Sequence, residues 1–213
     1  MRARLPYGKL SALQQKGTQM GRRILVINGH PDPREERFCA ALAAAYEAGA
    51  CEGGHELRRI DVGGLAFPLI RTAEDFEGAV EPPDIIVAQE AVQWADHLVF
   101  VYPLWLGEQP ALLKGFLEQV FRYGFALGKS ETGRFPEKLL TGRTAHLVVT
   151  MGMPAPVFRW WYGAHSVRAL ELSVLRLCGI KPIRRSLIGM VDSGAARRTR
   201  WLARLKDYGR SGR

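Results

Sequence analysis

Apolar and polar positions alternate along this 213-residue chain in two distinct rhythms. Arg23 to Asn28 (RILVIN) is a short β-branched apolar run, the signature of a buried strand. From Glu36 to Ala50 the sequence turns alanine-rich, with Phe38, Leu42, Ala45 and Tyr46 spaced for one helix face, and Asp32 and Pro33 stand where a helix start signal belongs. His55 to Asp61 reads as an edge-type second strand. Pro82-Pro83 opens a second helix that runs to Trp94. His97 to Tyr102 (HLVFVY) is nearly all apolar, as expected of a strand covered on both faces of a parallel sheet. Pro110 starts a further helix with Leu113, Phe116, Leu117, Val120 and Phe121 as its stripe. Thr144 to Thr150 (TAHLVVT) is a fourth strand, followed by an aromatic loop and a helix around Ala169 to Leu177. Ile183 to Val191 gives a fifth strand, and Ala195 to Tyr208 a terminal basic helix. Five alternations of strand and helix, without repeats or a linker, predict an open α/β sheet with helices on both faces.

Composition narrows the class. An apolar fraction of 47% and a charged fraction of 24% are those of a globular domain, and no run reaches the ~20 apolar residues of a membrane span. Residues 1–20 carry four cations and no acid but lack the apolar core of a secretory signal. We read them as a flexible extension or an over-called start, with the domain occupying 21–213. Cys39, Cys51 and Cys178 show no metal-ligand or CxxC spacing. They are expected to be small buried hydrophobes in a reducing cytoplasm. The net charge of +9 is located at the two ends: residues 1–20 contribute +4 and residues 197–213 contribute +6, leaving the body at about −1. With no aromatic-interleaved basic face, nucleic acid is not expected as a partner.

In an open parallel sheet the ligand sits beyond the carboxyl ends of the strands, where strand order reverses. The loops after the first, third and fourth strands therefore carry the chemistry. After strand one, Gly29-His30-Pro31-Asp32-Pro33 contains no GxGxxG, which argues against a Rossmann dinucleotide turn. It offers helix-start amides, a histidine, and Arg34 and Arg37, a set able to hold a phosphate. After strand three, Trp105 lies two residues past a buried strand, where a flat cofactor ring gives it a partner; the alternative is a loop cover over the sheet end. After strand four, Thr150-Met151-Gly152-Met153-Pro154 is a tight turn whose amides can face a polar ligand edge. Four aromatics follow in five residues, Phe158, Trp160, Trp161 and Tyr162, suited to a planar substrate or to a dimer contact.

The segments GHPDP, PLWLGEQPALLKGF and TMGMP, in this order, resemble the flavodoxin-like NAD(P)H:quinone oxidoreductases, with the bacterial branch closer than the mammalian DT-diaphorase type. The resemblance covers about Arg23 to Tyr208. It implies a flavodoxin-like three-layer fold with a five-stranded parallel sheet in the order 2-1-3-4-5. It also implies FAD, with FMN as the alternative, NAD(P)H as electron donor, a quinone-like acceptor reduced by a ping-pong mechanism, and a cytoplasmic homodimer. By matching motif, His30, Phe38 and Cys39 would meet the phosphate end of the flavin. Pro103, Leu104, Trp105 and Leu106 would line its ring, and Thr150, Met151, Gly152 and Met153 would contact its polar edge. A histidine that assists charge relay in the mammalian enzymes matches His165. The tyrosine paired with it there aligns with Phe158, which has no hydroxyl to donate, and Tyr162 is the nearby candidate for that role. Pocket tyrosines of the mammalian enzymes are replaced around Phe125, Leu127 and Lys129, so Phe125, Leu127 and Phe158 are candidates for the acceptor side. Two other readings compete: an ancillary, regulatory subunit of a potassium-efflux system, docking an acidic partner through Arg197, Arg198, Arg200 and Arg204, and a plain electron-carrying flavodoxin. The near-neutral body argues against the acidic carrier.

Overall fold

A computed structural model describes residues 21–78, 82–129, 133 and 136–213; the expected extension over 1–20 lies outside them. Five parallel strands form the sheet: β1 (Arg23–Asn28), β2 (Glu56–Asp61), β3 (His97–Pro103), β4 (Thr144–Thr150) and β5 (Ile183–Ile188). Their spatial order is 2-1-3-4-5, as the resemblance implies, and strand order reverses beside β1. Leu127–Gly128 and Glu137–Lys138 form a separate small antiparallel pair.

Side chains of successive strand residues point to opposite faces, and this sorts the core. Ile24 and Val26 of β1, Val99 and Val101 of β3, and Val148 of β4 pack beneath α1 (Phe38–Glu52) and α6 (Ala195–Arg210). Leu25, Ile27, Leu98, Phe100, Leu147 and Val149 face the other way. There α3 (Pro83–Trp94), α4 (Ala111–Val120) and α5 (His165–Ala169) cover them, α5 running on through a π-helical turn over Leu170–Leu175. The short α2 (Ala73–Glu77) begins with a capping box at Thr72.

Several elements depart from the sequence expectation. Helix α1 starts at Phe38 behind Arg37, with no side-chain cap, because the Asp32 carboxylate is taken by Arg34 and Arg37. The terminal basic helix also has a packed face: Leu205 and Gly209 are buried against α1. A Cβ at Gly49 would lie 1.8 Å from the Lys206 carbonyl oxygen, and one at Gly209 would lie 2.0 Å from that of Tyr46. Only hydrogen at those two positions lets the backbones meet so closely. Of the three cysteines, Cys39 and Cys178 are buried but Cys51 is exposed, because it falls on the open side of the last turn of α1. Strand β5 ends at Ile188 rather than Val191, and α5 begins four residues before the expected helix.

Candidate functional site

Three loops leave the carboxyl end of the sheet and are tied to one another. After β1, the buried Asn28 donates from Nδ2 to Asp61 Oδ1 (2.8 Å) and accepts the His30 amide (3.3 Å), which fixes the start of the turn. The Asp32 amide donates to His30 Nδ1 (3.0 Å), and burial pulls this histidine below its ordinary pKa. Asp32 also accepts from Arg34 Nε (2.9 Å) and Arg37 Nε (2.7 Å), so its carboxyl is held well below the usual range, chiefly by Arg34. The two arginines that the sequence offers to a phosphate are thus engaged within their own loop. The donors left for an anion are the amides of Phe38, Cys39 and Ala40 in the first turn of α1, where no side chain caps the helix.

After β3, Trp105 and Glu108 exchange both backbone hydrogen bonds (2.9 and 3.0 Å) around Leu106 and Gly107. Both central residues have positive φ, 50° and 84°, the signature of a type I′ turn. Leucine in that region is strained, yet Leu106 is fully exposed and Trp105 is 50% exposed. An apolar pair held out in water on a rigid turn is a candidate contact surface for an apolar partner. The Trp105 ring stands edge-on to His30, with centroids 5.9 Å apart, which joins the first loop to the second.

After β4, the Thr150 carbonyl accepts the Leu104 amide (2.7 Å), and Cys39 Sγ lies 3.5 Å from Thr150 Oγ1. Those contacts bring α1, the β3 loop and the β4 loop together. Burial pushes the Cys39 thiol up to about 11, so it packs here as a thiol rather than a thiolate nucleophile. Met151 is buried, and its amide is used by the Ile188 carbonyl (2.9 Å). The amides of Gly152 and Met153 have no acceptor among the described residues.

The structure also includes a segment to which the sequence reading gave no chemistry. The Met190 amide donates to the Met153 carbonyl (3.2 Å) and the Val191 amide to that of Met151 (3.3 Å), so the loop after β5 braces the loop after β4. Gly189-Met190 following a strand was the available signal.

The aromatic segment divides. Phe158 is 2% exposed and sits in the core with Ala164, Val167 and Leu170, so it is not free to line an acceptor pocket in this chain. Leu127 is buried in the same cluster, and Phe125 packs half-buried against it. All three carry apolar side chains, and burial is where such side chains are most stable. Trp160, Trp161 and Tyr162 are exposed. The turn that follows is left-handed at Gly163 and Ala164 (φ 63° and 47°), and the exposed His165 ring lies against Gly163, where a Cβ would meet Nε2 at 2.7 Å. No hydrogen bond or ring contact links Tyr162 or His165 to Trp105 among the described residues. Between this segment and β5 lies a cleft of about 460 Å³ with Trp160, Arg159 and Arg185 in its wall. Buried Glu171 holds Arg185 there (3.0 Å) together with Arg176 (2.7 Å). No group of His, Cys, Asp and Glu among the described residues is placed to hold a metal ion.

This is a doubly wound α/β sheet whose first helix is left uncapped beside an exposed aromatic turn at the strand switch point, the place where open α/β sheets carry their ligand sites. The chain matches the family described by its flavodoxin-like fold over residues 22–210, and it belongs to that family. It is 30% identical over 155 residues to a ribosyldihydronicotinamide dehydrogenase-like protein of Penicillium crustosum, covering 61% of this chain and 57% of that one. It is 29% identical over 169 residues to an NAD(P)H oxidoreductase of Haemophilus influenzae, covering 78% and 82%. The chain thus spans little more than half of the fungal relative's length and most of the bacterial one's. Among solved structures, an NAD(P)H:quinone oxidoreductase from Methanothermobacter marburgensis superposes with a TM-score of 0.76 at 24% identity, covering 91% of this chain and all of that one. An FMN-dependent NADH-azoreductase from Bacillus anthracis, solved with FMN, shares the fold with a TM-score of 0.66 at 16% identity over 90% of this chain and 97% of that one.

Proposed function

We propose that this protein is a flavin-dependent oxidoreductase that takes two electrons from NAD(P)H and passes them to a quinone or similar small acceptor through one shared pocket, by ping-pong turnover. The observation that carries this reading is the convergence of the strained, exposed Trp105–Leu106 turn, the uncapped start of α1 and the open amides of Gly152 and Met153. These features fit a flavin: the α1 amides of Phe38, Cys39 and Ala40 suit its phosphate, Trp105 and Leu106 its apolar ring, and Gly152 and Met153 its polar edge. The names of the relatives point the same way.

When bound, the flavin supplies two-electron redox chemistry that no side chain here provides. The chain's own contribution is position and electrostatics. Donors fixed at the end of β4 stabilise negative charge without having to reorganise. The His30–Trp105 contact and the Leu104–Thr150 hydrogen bond keep the apolar wall in register with them. His165, exposed beside the turn, is assigned the proton given to the acceptor, with Tyr162 as a neighbouring donor.

We infer FAD over FMN from the motif resemblance, and a homodimer from the exposed strip Val157, Trp160, Trp161, Tyr162 and Leu172, which a second copy would cover while completing the pocket. No helix among the described residues is long and apolar enough to cross a membrane, and Cys39, Cys51 and Cys178 are free thiols, which favours a cytoplasmic setting. The decisive experiment is the visible spectrum of the purified protein and its flavin titration, with chromatography of any released flavin. A colourless protein with no flavin affinity ends this reading, and released FMN replaces FAD. Light scattering that shows a monomer at micromolar concentration removes the shared pocket.

A further inference from the structure

At the opposite end of the sheet, about 20 Å from the flavin loops by the length of β4, a second cleft of about 390 Å³ opens among the first residues of β3, β4 and β5. Arg22, Arg184 and Arg213 line it together with His97 and Thr144, with no Asp or Glu side chain among them, and the Arg213 main-chain oxygen is held by the Tyr46 hydroxyl (3.0 Å). Arg22 donates to the Gly212 carbonyl (2.7 Å) and to Thr144 Oγ1 (2.9 Å). Arg184 lies over the Tyr208 ring at 5.0 Å. None of the three guanidiniums pairs with a carboxylate among the described residues; at this end Asp96 is held by Arg23 (2.7 Å) and Glu52 by Lys206 and Arg210 (2.6 Å each). Like charges gathered around one cleft repel one another unless an anion joins them.

His97 adds a second and independent indication. It is 2% exposed, and its Nδ1 lies 2.6 Å from Thr144 Oγ1. Thr144 accepts from Arg22, so its own hydroxyl hydrogen is free to point at His97 Nδ1, which leaves the imidazole proton on Nε2. That nitrogen is buried and has no hydrogen-bond partner among the described residues. A buried donor without an acceptor is costly, and it stands here in a wall that already carries three arginines.

We propose that this cleft is an anion site, separate from the flavin site, which takes a phosphate group through Arg184, Arg22 and His97. The volume is at the small end of ligand pockets, enough for inorganic phosphate or for the phosphate and sugar of a phosphomonoester. Residues 1–20 carry four cations and no acid, so their charge does not suit them as its occupant.

The test is calorimetric titration of the full chain with sodium phosphate, at ionic strength held constant with chloride. Saturable binding is expected, weakened about tenfold or more in Arg184→Gln through loss of a charge-assisted contact. Arg184→Lys should recover most of it. Arg184 is exposed, so its replacement leaves the core intact, and circular dichroism verifies this. Arg34→Gln, at the other end of the sheet, should bind phosphate as the wild type does. Titration with ribose 5-phosphate separates the sources: tighter binding than phosphate assigns a phosphomonoester, and equal binding assigns free phosphate. The proposal is overturned if no saturable binding occurs, if Arg184→Gln binds as the wild type does, or if Arg34→Gln alone loses it.

Discussion

At the amino end of the sheet, His97 and His146 are sealed between the strands and α1, with the Tyr46 ring against both. At the carboxyl end, His30 and His165 stand in loops, one half-buried beside Trp105 and the other exposed. Burial, with Arg22 and Arg184 nearby, pushes His97 down to about 3, and burial with Arg184 does the same to His146. All three non-glycine residues with positive φ among the described residues, Leu106, Ala164 and Met190, lie in the loops of the carboxyl end. One end places its polar groups inside and keeps its backbone relaxed. The other holds apolar groups outside on a strained backbone, an arrangement found where a ligand completes the surface. The same residue type is therefore buried at one end and held in loops at the other.

Acid should break the amino end first, and this is the largest effect expected. A histidine kept neutral in the fold but protonated when unfolded contributes fully above its ordinary value of about 6.5, and that contribution is lost as pH falls from there to about 3. Each such histidine removes about 1.4 kcal/mol per pH unit across that window. Urea denaturation between pH 7 and 4.5, in phosphate-free buffer, should show stability falling with pH, and His146→Phe should make the slope shallower. Asp32, Glu52 and Asp96, whose values are depressed by paired cations, act only below the ordinary carboxylate range. A stability that stays flat over this interval would contradict the sealed-histidine account.

The carboxyl end should respond in function instead. His165→Ala is expected to keep its flavin and lose turnover by about 10²-fold, the low end for a general acid. Stopped-flow reoxidation by a quinone at the wild-type rate would leave His165 as a packing residue against Gly163. Trp105→Ala should weaken flavin by several-fold to about tenfold from lost aromatic contact, with the burial contribution added. Its effect on the flavin-free protein should be small, because half of the ring is already in water. Fluorescence titration and thermal melting measure the two separately.

The smallest effect sharpens the contrast most directly. Leu106→Gly relieves a left-handed leucine, a gain of about 1 kcal/mol partly offset by the greater freedom of glycine in the unfolded chain. The flavin-free protein should melt at an equal or slightly higher temperature, while flavin binds more weakly. If the variant is less stable and binds normally, the turn is merely structural.

Much of the layout is written in the sequence. The two periodicities locate all five strands, and β4 falls on Thr144–Thr150 as expected, because parallel strands covered on both faces need near-continuous apolar runs. The motif PLWLGEQPALLKGF places Trp105 on a turn after β3, since Leu106-Gly107 joins a buried strand to a proline-initiated helix. Side-chain direction and pairing were not legible. Nothing in the order Phe158, Trp160, Trp161 says that the first turns into the core and the others outward; the π-helical winding of that segment decides it. Nothing in GHPDPREER says that Asp32 engages both arginines and leaves the α1 amides open. His97 and His146 read as lone polar residues in apolar strands, and only the parallel register brings them beneath Tyr46 with Thr144 and Ser186 as partners. Periodicity reports which face a residue occupies along one element, which local sterics and burial set. Who meets whom across elements is decided by packing, and the chemistry of both ends of this sheet depends on it.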